Sequence, residues 1–121
     1  MQTAGETVRM LLHIAPAAEW SAPDPEVPYR PASLATEGFV HCSPDEDTAL
    51  AIADAHYRSV PGPLLLLMFD EALLTAEVRW EGSGDRLFPH VYGPVDRAAV
   101  VGVREIRRDA AGRVTGLAPW V

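Results

Sequence analysis

The sequence predicts an α+β domain: a strongly bent sheet or split β-barrel of about five to six strands, with one main helix over residues 44–57 against it. Three observations lead there. Runs that read as strands outnumber those that read as helices. Only the stretch after Ser43 carries an apolar stripe at helical spacing behind a marked start. The run Leu64-Leu65-Leu66-Leu67-Met68-Phe69, short and flanked by Pro63 and Asp70, reads as a central strand covered on both faces.

In chain order, Met1 to Glu6 reads as a disordered tail and Val8 to Ile14 as a strand buried over its second half. Ala15 to Trp20 forms a helical turn with Pro16 at its start. Four prolines between Ser21 and Pro31 forbid regular structure, which makes that segment a surface loop. Ser33-Leu34-Ala35 then leads into Glu37-Gly38-Phe39-Val40-His41-Cys42-Ser43-Pro44-Asp45-Glu46. There Gly38 supplies a turn with positive φ and Phe39 to Cys42 a short strand. Ser43 is the expected N-cap, with Pro44 at the first helical position and Glu46 closing a capping box. Such a strand-to-helix junction delivers His41 to a helix mouth.

The helix stops at Pro61-Gly62-Pro63, and β structure resumes with the leucine run. Asp70 to Leu74 is a turn of helix or a loop. Glu77 to Glu81 alternates polar and apolar residues, as a strand does. After the Gly82-Ser83-Gly84-Asp85 turn, Leu87 to Pro94 reads as an irregular segment tied down by its rings. Asp96 to Ala99 forms a short helical turn. Val100 to Arg107 and Val114 to Leu117 close the domain as strands joined by a hairpin turn at Asp109 to Gly112.

At 121 residues the chain fits one domain over its whole length. Its formal net charge of -7 argues against general nucleic-acid binding and against docking to an anionic membrane. All ten basic residues are arginine, so lysine Schiff-base chemistry is excluded. Cys42 is the only cysteine, so no intrachain disulfide can form. With no signal-peptide pattern and no apolar run long enough to span a bilayer, the expected location is the cytoplasm.

Phosphate-loop, dinucleotide and Cys-x-x-Cys fingerprints are absent. The distinctive feature is a set of histidines near strand ends or in a rigid turn: His13, His41 and His90, with Glu81 and Tyr92 beside them in sequence. Three readings are open. One imidazole acts as general acid or base, with Glu81 orienting it. The three converge on a metal, although their spacing carries no ligand motif and no metal ligand is assigned. Or they are core histidines bonded to backbone carbonyls. His56, on the helix, is a surface or packing residue. Cys42 reads as a buried small hydrophobe, because neighbours in a strand point to opposite faces and cannot form a Cys-His pair.

Leu12-His13-Ile14 with Glu19-Trp20, Glu37 to Ser43, Val78-Arg79-Trp80-Glu81 and Phe88-Pro89-His90-Val91-Tyr92-Gly93-Pro94-Val95 occur in an order that resembles the bacterial "domain of unknown function 952" family. Cys42 stands where the family usually carries leucine or alanine, and the loop from Pro23 to Pro31 departs from its usual short link. The resemblance implies a fold distantly similar to the ADP-ribosyltransferase domain, which holds nicotinamide adenine dinucleotide (NAD) in a cleft. Carried over, the cleft residues are His13, His41 with Ser43, and Glu81 or His90.

The expected protein is therefore a small cytoplasmic enzyme or ligand-binding domain doing acid–base or glycosyl-transfer chemistry on a polar small molecule, nucleotides included. NAD is the cofactor that the fold analogy suggests. The expected catalytic group comprises His41, His13, His90 and Glu81; Ser43, Tyr92, Phe39, Trp80, Tyr29 and Arg30 are expected to bind substrate. Two alternatives stand beside it: a cofactor-free cyclase, lyase or isomerase, and a non-catalytic protein-binding module.

Overall fold

A strand with no polar residue to turn toward water must be covered on both sides, and the leucine run organises the fold accordingly. In the computed structural model, which describes residues 9–21 and 24–120, this run is β3 (Leu64–Asp70). It lies between β1 (Met10–Pro16) and β6 (Val100–Arg108), both antiparallel to it, and β7 (Val114–Pro119) completes a four-stranded sheet of order β1-β3-β6-β7. The expected tail, Met1 to Glu6, lies outside the described residues, as does Val8.

Side-chain alternation sends the apolar residues of β1 and β3 to two separate cores. Leu12, Ile14, Leu64 and Leu66 face helix α3 (Glu46–His56), which meets them with Ala49 and Ala53, both fully buried. Leu11, Ala15, Leu65, Leu67 and Phe69 face the other way, onto a second sheet of order β2-β5-β4. That sheet consists of β2 (Val40–His41), β5 (Arg86–Tyr92) and β4 (Glu77–Ser83), again antiparallel. Val40 and Val91 lie on its inner face. Among the described residues the result is an α+β fold with seven strands in two sheets and not a closed barrel, against the expected bent sheet or split β-barrel of about five to six strands.

The sheets are stitched together just beyond β2. Leu12 and Ser43 exchange backbone hydrogen bonds of 2.9 and 2.6 Å, so the chain leaves β5 and joins β1 within two residues. This transfer explains a departure from the expected structure: Arg86–Tyr92 is a strand, not an irregular segment, despite Pro89 in its middle. Amide nitrogen and carbonyl of one strand residue point to the same side, and the Pro89 carbonyl accepts the Cys42 N–H at 3.0 Å. The missing proline N–H therefore faces the place where β2 is departing, so no ladder bond is lost to its other neighbour.

Two further departures concern caps. The main helix begins at Glu46, and Asp45, not Ser43, is its N-cap, accepting the Thr48 N–H at 2.8 Å. Ser43 is occupied in the inter-sheet bridge, so the expected capping box does not form. A second helix, α2 (Ala32–Glu37), occupies the stretch read only as a lead-in; Pro31 precedes it and Gly38, at φ 87, closes it in the left-handed region. Gly38 thus has the expected backbone, but it ends a helix instead of opening a strand. The turn after β1 is α1 (Ala17–Trp20).

Candidate functional site

The second sheet shows two unlike faces. Its inner face is apolar, whereas strand alternation and register put Glu81, Arg79, His90 and His41 on the outer face, with His41 directly opposite His90 and His90 opposite Arg79. Where this face parts from β1 and α3, a cleft of about 540 Å³ opens. Leu12, Ile14 and Ile52 form its apolar side; His41, His90, Glu81 and Phe88 form the opposite wall. Ser43 and Cys42 sit at its apex, and Tyr57, His56, Glu37 and Gly82 complete the lining.

Each imidazole of the wall is held by its own carboxylate. His90 donates from Nδ1–H to Oε1 of Glu81 at 2.7 Å, and the Tyr92 hydroxyl donates to the same oxygen at 2.6 Å. These bonds, Tyr92's first and His90's second, keep the Glu81 carboxyl below the usual carboxylate range. His41 donates from Nε2–H to Oε1 of Glu37 at 3.0 Å, the carboxylate reaching forward across the Gly38 turn. With those tautomers, Nε2 of His90 and Nδ1 of His41 are the nitrogens left to accept a proton.

Phe39 holds the two rings together. Its ring stacks on His90 at 4.2 Å and 24° and meets His41 edge-on at 4.8 Å and 65°. The histidine rings are 5.4 Å apart. The His41 side chain is 50% exposed and that of His90 15%, so the first meets solvent and the second stands behind it. Arg79 lies over the Tyr92 ring at 4.3 Å and pairs with Glu77, beside the cleft rather than in it.

His13 has a different environment. It is buried in β1, stacked on Phe69 at 5.6 Å, and donates from Nδ1–H to the backbone carbonyl of His41 at 2.7 Å. Its Nε2 lies 2.9 Å from the Tyr29 hydroxyl, which also reaches Oε1 of Glu19 at 3.2 Å. Burial pushes the His13 pKa down to about 4, so the ring is neutral at neutral pH. His13 does not line the main cleft; it touches a smaller hollow of about 260 Å³ on the far side of the Glu37–His41 pair. The three histidines do not share one wall: His41 and His90 face the main cleft, while His13 supports His41 from behind and borders only the smaller hollow.

Several expected binding residues also fall elsewhere. Tyr29 is 1% exposed, and its backbone bridges Val95. Trp80 packs against the inner core, one residue out of phase with Glu81, with Arg9 over its ring. Arg30 is exposed and lines neither hollow. Ser43 lines the cleft but is buried and serves the bridge. Phe39 and Tyr92 act behind the lining by positioning His90 and Glu81.

Burial raises the Cys42 thiol pKa, in keeping with the small buried hydrophobe read from the sequence. Among the described residues, no group of three or more His, Cys, Asp or Glu side chains could hold a metal ion.

Glu37 and His56 also line the cleft although neither was among the expected site residues. Glu37 carried a legible signal, four residues before His41 across a glycine. His56 had none; it reaches the cleft because α3 ends there, in its last turn.

No helix among the described residues is long and apolar enough to cross a membrane. No curated protein matches the chain. Among solved structures, the crystal structure of protein CC0527 from Caulobacter crescentus is similar, with 28% identity and a TM-score of 0.73 over 88% of this chain and 93% of that one. A double mutant of CC0527 gives 27% identity and 0.73, and its solution NMR structure 27% and 0.68. The matching family model, over residues 14–103, is described as a protein of unknown function (DUF952), and the chain belongs to that family.

Proposed function

We propose that this protein is a small cytoplasmic enzyme that performs general acid–base chemistry on a small molecule held between His41 and His90. The observation that carries this reading is the pair of carboxylate–imidazole couples facing one opening, with ring centres 5.4 Å apart and opposite nitrogens engaged. Glu81 orients His90 and stabilises its imidazolium, so Nε2 of His90 is the base that takes a proton from the substrate. His41, nearer to solvent, enters the step as an imidazolium that has taken a proton from water at Nδ1. It delivers that proton where the electron pair ends, and the proton held by His90 then returns to solvent. Isomerisation, elimination and cyclisation all have that form, and none requires a cofactor.

The glycosyl-transfer version, drawn from the likeness to the ADP-ribosyltransferase domain, would bring NAD into the same cleft. The two versions separate on one measurement, because a ligand that binds only the folded state raises its melting temperature. A library of small polar molecules is screened by thermal shift, with NAD included, and each hit is incubated with the protein and followed for turnover. The reading expects a hit that is converted by the natural protein and by neither His41→Ala nor His90→Ala. Conversion at an unchanged rate by both variants would overturn it.

A further inference from the structure

The charge around the cleft carries the reading one step further, to the class of molecule admitted, and this step rests on the cleft being the acid–base site. The two hollows are lobes of one site: both are lined by Ile14, Glu37, His41 and Tyr57. The larger lobe is apolar on one side, through Leu12, Ile14 and Ile52, with the Phe88 ring opposite. The smaller has a mixed lining, with Pro16 and Pro31 beside Glu19, Ser33, Glu37 and the buried His13. Carboxylates therefore stand at three separate places round the site: Glu19, Glu37 and Glu81.

No arginine lines either lobe, and the chain has no lysine. The arginines near the cleft are directed elsewhere. Arg58 bonds Asp54, Arg104 pairs with Glu46, and Arg108 donates to the carbonyls of Tyr57 and Gly62. Arg86, on the rim, lies over the outer Phe88 ring at 5.9 Å. Nor does the start of α3 offer amides to an anion, because Asp45 accepts the Thr48 N–H and Glu46 and Asp47 follow. A phosphate needs a cation or free amides to replace its water. Arg79, opposite His90, pairs with Glu77, and the start of α2 at the smaller lobe has its first amide, Ala32 N–H, bonded to Glu19. Each imidazole of the wall is already held by a carboxylate, so a phosphate would meet Glu19, Glu37 and Glu81 at close range.

We propose that the two-lobed cleft admits a neutral or cationic small molecule, an apolar body in the larger lobe and a basic arm between Glu37 and Glu19, and rejects phosphorylated ligands. The body meets the Leu12–Ile14–Ile52 side and reaches the histidine pair from there. Opposite charge at Glu37 and Glu19 attracts the arm, and salt weakens that attraction because both groups face solvent.

The test is an amide NMR titration of the full chain with three probes of similar shape: 2-phenylethylamine, 3-phenylpropanoate and phenyl phosphate, with NAD as a fourth. The amine is expected to shift Ile14, His41 and Tyr57 and to bind at least about tenfold tighter than either anion. Glu37→Gln and Glu19→Gln together should narrow that gap, and so should added salt. Phenyl phosphate or NAD binding in the cleft as tightly as the amine would overturn the inference, as would no probe shifting those residues. The acid–base reading fails separately: amine preference retained, with turnover of a hit unaffected by His90→Ala, removes the chemistry and leaves the selectivity standing.

Discussion

The two sheets differ in what covers them, and the difference separates the packed core from the face that carries the candidate site. In the sheet containing β3, the strands β1 and β3 are covered on both faces, one by α3 and the other by the second sheet, so Leu11 to Ala15 and Leu64 to Leu67 are all buried. The second sheet is covered on its inner face only, and its outer face is free to carry His41, His90, Glu81 and Tyr92. The histidines follow the same division. His13 lies in the doubly covered sheet and is neutral and sealed, whereas His41 and His90 belong to the singly covered one and meet an opening.

Substitutions sharpen that contrast, beginning with the doubly covered sheet. Phe69→Ala, at a fully buried site touching His13, should cost about 3–5 kcal/mol of unfolding free energy, read from urea denaturation. A cost under about 1 kcal/mol would mean that β3 is not packed on this side.

The sealed histidine makes stability depend on pH. The folded His13 pKa is lowered from 6.5 to about 4. Between those values the unfolded chain binds the proton and the folded one does not, so the contribution is complete above pH 6.5 and disappears as pH falls towards 4. The loss should reach about 3 kcal/mol across that window, at roughly 1.4 kcal/mol per unit. Denaturation curves for the natural protein and His13→Gln check it, since the variant lacks this part of the slope. Parallel profiles would show that His13 is hydrated.

Asp45→Ala should cost about 1 kcal/mol by removing the helix cap, and Ser43→Ala less. The reverse order would restore Ser43 as the cap. The smallest effects belong to the singly covered face. His41→Ala and His90→Ala should each change stability by less than about 1 kcal/mol, because their partners remain solvated. A larger loss would make these rings structural and would remove the contrast between the sheets.

Much of the division was legible beforehand. Leu64 to Phe69 declares a strand covered on both faces, since nothing in it suits water, and Glu77 to Glu81 declares a half-covered one by its alternation. Residues that the proposed chemistry turns on were recognisable as polar candidates, His41 and Glu81 in expected strands and His90 in a segment read as irregular. What escaped was long-range. Leu87 to Tyr92 reads as irregular until β2 is seen leaving the sheet beside Pro89, a matter of pairing that no local pattern encodes. Ser43 resembles a cap until Leu12, thirty-one positions earlier, takes its backbone. That His13 and Tyr29 bond to each other rather than to a ligand depends on contacts sixteen residues apart.

The central claim, that His41 and His90 are two separately anchored acid–base groups at one opening, is tested most directly by 15N NMR of the imidazole nitrogens in their neutral forms. The account predicts opposite tautomers, Nε2–H in His41 and Nδ1–H in His90, the second reverting toward the free-imidazole mixture in Glu81→Gln. Both rings showing that mixture in the natural protein would contradict it.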